Sequence, residues 1–182
     1  LIQGRSRVAF ALRVPGRPLV TTVHHLTTDP ELQPYSTPAQ RLFYRIVEAR
    51  YDWWSIRSAD AVVCVSRYTQ EQVASTYGFT HTSLIYDGID TEAFVPTPDY
   101  ARRGDGLPDK GGRIRLLFVG NRTRRKGFDL LPAILDQLPQ DYFLYYTSGF
   151  QGADEGPPHP RMAPIGAPDR DSLIAAYQSC DI

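Results

Sequence analysis

Short apolar runs alternate with helix-like patterns along this chain. Runs of strand character occur at residues 19–23, 61–65, 83–86, 114–119, 142–146 and 163–165, and helical spacing occurs at 38–58, 67–77, 128–138 and 171–178. Apolar runs of this kind are typical of strands buried on both faces of a parallel sheet with helices between the strands. The pattern therefore predicts the α/β class.

Two helix starts carry clear capping signals. Thr37 is followed by Pro38 and Gln40, which predicts an N-cap, a proline at the first helical position and a capping box. Ser66 follows an apolar run and is expected to cap a helix that ends at Gly78.

The segment 38–58 is aromatic, basic and amphipathic. Apolar residues, among them Leu42, Ile46, Trp53, Trp54 and Ile56, alternate with Arg41, Arg45, Arg50 and Arg57. Two interpretations are open, namely contact with an anionic membrane surface, or core packing with the arginines in solvent. We favour core packing.

Residues 87–112 show no periodicity and hold three prolines and five glycines. This composition indicates a linker between a first domain, residues 1–86, and a second domain, residues 113–182. The chain begins without Met and ends directly after a helical pattern, where a strand should follow. We therefore expect a piece of a larger protein in which both domains are incomplete.

The turn after residues 114–119 is the main candidate site. Gly120 ends the apolar run, and four cations follow within five residues: Arg122, Arg124, Arg125 and Lys126. We expect a helix to begin near Gly127, so that its unpaired amides and its dipole would join these side chains in binding a pyrophosphate. A solvated basic loop is the alternative interpretation.

A second candidate lies at the end of the run 19–23, which delivers His24 and His25. Ligands of open parallel sheets bind outside the carboxyl ends of the strands, so one of these histidines is expected to face a cleft. A structural hydrogen-bonding role is the alternative.

Composition narrows the function classes. Lys plus Arg and Asp plus Glu number 20 each, and the pI is near 7.1, so no global charge indicates a nucleic-acid partner. Cys64 and Cys180 indicate neither a disulfide framework nor a metal cluster, which favours a reducing compartment. No run long enough to span a membrane occurs in the sequence.

Five stretches, in their order and spacing, resemble the retaining glycosyltransferases of family 4, which have the GT-B fold. They are TVHHL at 22–26, SADAVVCVSRYTQEQV at 58–73, YDGIDTEAFVP at 86–96, LLFVGNRTRRKGFDLL at 116–131 and APDRDSLIAAYQSCDI at 167–182. The resemblance implies two Rossmann-like domains, with the acceptor-side domain before the linker and the donor-binding domain after it.

The resemblance also implies an activity. A sugar would pass from a nucleoside-diphosphate sugar to a glycan or lipid-linked acceptor, with retention of the anomeric configuration and without a metal or other cofactor. The implied location is the cytoplasm, and a further expectation is that the protein contacts the inner face of the membrane. Parts of the family pattern lie beyond both ends, so these 182 residues are not expected to be active alone.

On this resemblance, Lys126 matches the lysine that contacts the donor pyrophosphate, and Gly120, Arg122 and Arg125 are further candidates for diphosphate binding. Asn121 stands where the family has an arginine, so the partner of Lys126 is open between Arg122 and Arg124.

His24 matches a histidine near the reacting sugar and is the candidate catalytic residue. His25 stands where many relatives carry Asp, and Asp87 replaces the usual Asn of the hinge.

Two other functions compete with this one. A nucleic-acid-binding module would use Arg122 to Lys126, although the charge is confined to one turn and the aromatic pattern of such modules is absent. A Rossmann dehydrogenase is disfavoured because G-x-G-x-x-G spacing is absent after Val119.

Overall fold

The computed structural model describes residues 1–96, 107, 112–149 and 158–182, which form two compact units, Leu1–Gly88 and Ile89–Ile182. Most of the expected linker, residues 97–106 and 108–111, lies outside the described residues, as do residues 150–157. The predicted division at residues 86 and 113 therefore stays a prediction.

Unit 1 contains a four-stranded parallel sheet. The strands, in sheet order, are β1 (Ile2–Arg5), β2 (Leu19–Val23), β3 (Ala61–Cys64) and β4 (Ser83–Leu84). The run at 19–23 is confirmed, while the runs at 61–65 and 83–86 form shorter strands than expected. β1 was not predicted, because IQGR carries a single strongly apolar residue and a glycine.

Two helices of unit 1 begin where the capping signals predict, after Thr37 and after Ser66. The helical elements of the unit are a 3-10 turn at Ala9–Leu12, a 3-10 helix at Pro30–Tyr35, α1 (Pro38–Phe43), a π-helical turn at Tyr44–Glu48, α2 (Ala49–Ser58) and α3 (Arg67–Tyr77). The Gln40 amide donates to Thr37 Oγ1 (3.2 Å) and the Thr37 amide to Gln40 Oε1 (2.8 Å), which completes the capping box. Ser66 caps α3, which ends at Gly78 in the left-handed conformation.

The segment 38–58 does not pack as expected. In α2 only Asp52, Ser55 and Ile56 are buried, and Ile56 joins the core of Val23, Val62 and Val73. The larger apolar side chains of the segment are exposed, namely Leu42, Phe43, Ile46, Tyr51, Trp53 and Trp54. The prediction that Leu42, Ile46 and both tryptophans pack in the core is therefore wrong for this structure.

Unit 2 contains a three-stranded parallel sheet with helices on both faces. Its strands are β5 (Ile114–Phe118), β6 (Tyr142–Tyr146) and β7 (Met162–Pro164), and its α-helices are α4 (Leu131–Gln137) and α5 (Arg170–Ser179). Side chains of β6 alternate between two cores: Leu144 and Tyr146 pack with Leu135 of α4, whereas Phe143 and Tyr145 pack with Ala176 of α5. The prediction of parallel α/β architecture is confirmed.

The helix after the basic turn begins later than predicted. Two 3-10 turns, Arg124–Lys126 and Phe128–Leu130, separate β5 from α4, which starts at Leu131. Pro132 lies in the first turn of α4, where its missing N–H costs nothing. The expected helix start near Gly127 is therefore wrong, because Gly127 adopts the left-handed conformation (φ 74°) that interrupts a helix.

Within the described ranges, no helix combines the length and the apolar character that a membrane span requires.

Candidate functional site

The basic loop, residues 120–130, starts from a fixed point at the carboxyl end of β5. The Thr147 hydroxyl, which is buried, accepts a hydrogen bond from the Gly120 amide (2.9 Å) and donates to the Gly120 carbonyl (3.1 Å). The Thr147 amide donates in turn to the Phe118 carbonyl (3.0 Å). The start of the loop is thus held by the residue that follows the neighbouring strand, β6.

A second contact from the end of β6 holds the loop at Asn121. Gly149 has a φ of 64°, and a Cβ placed there would lie 2.9 Å from the Asn121 Cα and closer still to its side chain. Only glycine fits this close approach. Sequence analysis did not assign a role to Thr147 or Gly149, since nothing local to Thr-Ser-Gly indicates a contact with residues so far away.

The backbone of the basic loop is turned on itself. The amides of Lys126 and Phe128 donate to the Thr123 carbonyl (3.0 and 3.3 Å), and the Gly127 amide donates to the Arg124 carbonyl (2.9 Å). These three amides are therefore occupied, and the prediction that unpaired helix amides near Gly127 bind an anion is wrong. At these three positions, anion binding has to rely on side chains.

Two of the four cations are engaged inside unit 2. The Arg122 guanidinium stacks over the rings of Phe128 (5.5 Å) and Tyr146 (5.8 Å), and Arg124 Nε lies 3.4 Å from Asp129 Oδ2. These contacts give both arginines a partner within unit 2. The alternative of a nucleic-acid-binding module stays a prediction.

The other two cations, Arg125 and Lys126, are exposed and form no ion pair with any described residue. The aliphatic part of Lys126 passes beside Gly120, since a Cβ on that glycine would lie 4.0 Å from Lys126 Cγ. The structure thus brings two of the predicted residues together, Gly120 and Lys126. Their role in diphosphate binding stays a prediction.

His24 lies in unit 1, directly after β2. Its Nδ1 is 3.6 Å from Asp87 Oδ2, and its side chain is 41% exposed. His25 is also exposed, and its Nε2 lies 3.4 Å from Arg7 Nη2. Both histidines line an open pocket at the end of the strand, where one of them was expected to face a cleft. The catalytic role of His24 stays a prediction.

The Asp52 carboxyl is buried near Ser6 and Arg7, two residues that line this pocket, and was not predicted from the sequence. Only 1% of the residue is exposed, and neither carboxyl oxygen has a hydrogen-bond partner among the described residues. Burial raises the pKa of Asp52 from 3.8 to about 6, against the opposing effects of the Ser6 hydroxyl and of Arg7, which lie nearby. Ser6 does not meet hydrogen-bond geometry, so the carboxyl gains little compensation.

Asp90, in the segment expected to be a linker, has a structural role in unit 2. Its carboxylate accepts from the amides of Glu92 and Ala93 and pairs with Arg170 (2.6 Å). The hydrogen bond from Ala93, followed by that from Arg170, lowers the pKa of Asp90. No group of three or more His, Cys, Asp or Glu side chains arranged for a metal occurs in the part of the chain that the structure describes.

Comparisons with known proteins agree with this architecture. The model of Glycosyltransferase Family 4 matches residues 2–93, half of the chain. The GDP-mannose-dependent alpha-(1-6)-phosphatidylinositol monomannoside mannosyltransferase of Mycolicibacterium smegmatis (strain ATCC 700084 / mc(2)155) is 35% identical over 81 residues, which is 44% of this chain and 21% of that protein.

Solved structures show the same fold. Sucrose-phosphate synthase (tll1590) from Thermosynechococcus elongatus superposes with a TM-score of 0.69 at 24% identity, over 99% of this chain and 48% of that one. Anabaena Alr3699/HepE in complex with UDP-glucose superposes with a TM-score of 0.65 at 17% identity, over 91% and 45%.

The chain spans about half the length of these structures and about a fifth of the mannosyltransferase. The GT-B type of α/β fold predicted from the sequence is confirmed, and with half of its residues matched by the family model, the chain belongs to glycosyltransferase family 4.

Proposed function

We propose that the protein to which this chain belongs transfers a sugar from a nucleoside-diphosphate sugar to a glycan or lipid-linked acceptor, with retention of the anomeric configuration. Arg125 and Lys126 are proposed to bind the donor diphosphate and to stabilise the leaving group. His24 is proposed to lie beside the reacting sugar.

The observation that carries this proposal is a pair of exposed cations, Arg125 and Lys126, which form no ion pair with any described residue. They lie in a loop fixed at the carboxyl end of β5, where ligands of parallel sheets bind. Charge that develops on a leaving diphosphate is stabilised most by cations that are already in position. The names of two similar proteins support the donor class, since one is GDP-mannose-dependent and one was crystallised with UDP-glucose. We make no proposal for the nucleotide base or for the sugar of the donor.

We propose that the transfer uses no metal or other cofactor. We propose a cytoplasmic location with peripheral contact at the inner membrane face. The exposed apolar side chains of segment 38–58, which lie among arginines, support this contact.

Replacing Lys126 by alanine in the complete gene product is expected to weaken the binding of GDP or UDP by about 10- to 100-fold, since a charged hydrogen bond contributes about 1.5–3 kcal/mol. Calorimetric titration of the nucleoside diphosphate measures this directly. Turnover of the corresponding nucleotide sugar should fall at least as much, because the charge on the diphosphate grows in the transition state.

Arg113→Ala is the matched control, because Arg113 precedes β5 and so lies at the opposite edge of the same sheet. Its affinity for the nucleotide should equal that of the wild type. Equal affinities for the wild type and Lys126→Ala would refute the assignment of the donor site to this loop.

A further inference from the structure

A pocket of about 480 Å³ opens at the carboxyl ends of β1 and β2. The two strands are parallel, with Arg5 opposite Thr22, so both deliver their last side chains to one edge of the sheet. The main lining residues are Arg5, Ser6, Arg7, Thr22, His24 and His25. Of these residues, only the two histidines were assigned a role from the sequence. The Gly-Arg-Ser-Arg stretch at residues 4–7, which supplies both arginines, was not assigned one.

The charge of the lining is one-sided. Two arginines and two histidines line the pocket, and none of its lining residues is an Asp or Glu. A concave site lined by one sign of charge concentrates ligands of the opposite sign. Arginine in particular presents paired donors that match the oxygens of a phosphate. The lining therefore fits an anionic ligand rather than a neutral sugar alone.

Two neighbouring side chains, Glu48 and His25, contact the Arg7 guanidinium. Its Nη1 lies 3.3 Å from Glu48 Oε1, and the Glu48 side chain is 12% exposed whereas that of Arg7 is 40% exposed. Its Nη2 lies 3.4 Å from His25 Nε2. A guanidinium has five N–H donors, so these contacts leave donors for a ligand. Glu48 thus fixes the orientation of Arg7 at the pocket.

Arg5 supplies charge that no carboxylate of unit 1 balances. It is the last residue of β1, is exposed, and forms no ion pair within the described part of the chain. Glu48 pairs with Arg7, and Asp87 lies 3.6 Å from His24, so Arg5 is the cation of the lining that has no carboxylate partner among the described residues. An anion in the pocket would supply that partner.

We propose that this pocket binds a phosphate group carried by the acceptor, with Arg5 and Arg7 as its donors. The inference rests on the proposed glycosyl transfer and adds to it the class of acceptor, a phosphate ester. His24 lines the same pocket, so the phosphate is held beside the residue proposed to lie near the reacting sugar.

Histidine NMR provides a test with internal references. The chain has four histidines, of which His24 and His25 line the pocket whereas His81 and His159 do not. Titration of the complete gene product with glycerol 3-phosphate should shift the ring signals of the first two and leave the other two unchanged. Glycerol, the neutral counterpart, should shift none. Failure of glycerol 3-phosphate to move the signals of His24 and His25 overturns the proposal.

Two arginine variants sharpen the test. Arg5→Gln should weaken the binding of glycerol 3-phosphate at least tenfold, since a charged donor to the phosphate is lost. Arg17→Gln removes an exposed arginine at the amino end of β2, the opposite edge of the sheet, and should bind as the wild type does. Equal weakening in both variants would mean that only the overall charge matters, which overturns the assignment.

Competition with nucleotides shows whether the pocket binds the phosphate of the acceptor or the diphosphate of the donor. With GDP or UDP at saturation, glycerol 3-phosphate should bind with unchanged affinity, because the donor diphosphate is assigned to the basic loop. Displacement by either nucleotide would assign the pocket to the donor and overturn the acceptor class. If neither nucleotide binds at all while glycerol 3-phosphate still does, the proposed function fails and the phosphate pocket stands.

Discussion

Replacing Gly149 by alanine is expected to destabilise the β5–β6 edge of unit 2 by about 3 kcal/mol. The left-handed backbone costs a non-glycine residue about 1–2 kcal/mol, and overpacking adds about 1–3 kcal/mol. The added methyl would overlap Asn121, whose Cα lies 2.9 Å from the ideal Cβ position. Because Asn121 belongs to the basic loop, donor binding should weaken together with stability.

Amide hydrogen exchange measures this effect locally. Peptides covering residues 114–121 and 142–149 should exchange faster by about two orders of magnitude, the equivalent of about 3 kcal/mol at 1.4 kcal/mol per tenfold. Both tryptophans, Trp53 and Trp54, lie in unit 1, so the unfolding transition detected by tryptophan fluorescence should stay unchanged.

Gly166→Ala is the control for Gly149→Ala. Gly166 also has a positive φ (74°) and lies in unit 2, but nothing lies within 4 Å of its ideal Cβ position. This variant carries the conformational cost without the overlap, so its effect should be smaller, about 1–2 kcal/mol. Equal effects of the two substitutions would show that the contact between Gly149 and Asn121 is not tight.

The parts of the fold that sequence analysis predicted well have strong local signals. Strands 19–23 and 142–146 and helix 67–77 match the structure residue for residue, because β-branched or aromatic runs, a serine cap and a terminal glycine mark their ends. Local signals of this kind act within a few residues, so they are readable from the chain itself.

The parts that were missed depend on contacts between distant residues. The Gly120 amide bonds to Thr147, which is 27 positions away, and Asp52 lies beside Ser6 and Arg7, more than 40 positions away. The same limit explains the error at the basic loop. The Thr123 and Arg124 carbonyls accept from the amides of Lys126, Gly127 and Phe128, and these bonds depend on the loop conformation, which no local pattern indicates.

Unit 1 is expected to lose stability as the pH rises from about 4 to about 6, through Asp52. Its pKa is near 3.8 in the unfolded chain and about 6 in the fold, so the native state binds the proton more tightly and unfolding releases it in this range. The stabilisation is fully present below the unfolded pKa and is lost as the pH passes the folded pKa. The shift corresponds to about 3 kcal/mol, at about 1.4 kcal/mol per pKa unit.

Asp52→Asn removes the titrating group and is therefore expected to have a pH-dependent effect. Relative to the wild type, the variant should be about 2–3 kcal/mol more stable at pH 7.5 than it is at pH 4.5, because only the wild type then carries a buried, unpaired carboxylate. Urea unfolding followed by tryptophan fluorescence reports on unit 1 alone, since both tryptophans lie there. Other titrating groups contribute equally to the free energy of unfolding of the variant and of the wild type, so their contributions cancel in the difference.

Asp141→Asn is the matched control for Asp52→Asn, since Asp141 is exposed and lies in unit 2. Its effect on the fluorescence transition should be near zero at both pH values. A difference between Asp52→Asn and the wild type that stays constant from pH 4.5 to 7.5 would show that Asp52 is not desolvated. The carboxyl would then be hydrated, and the burial of Asp52 would impose no cost on its charged form.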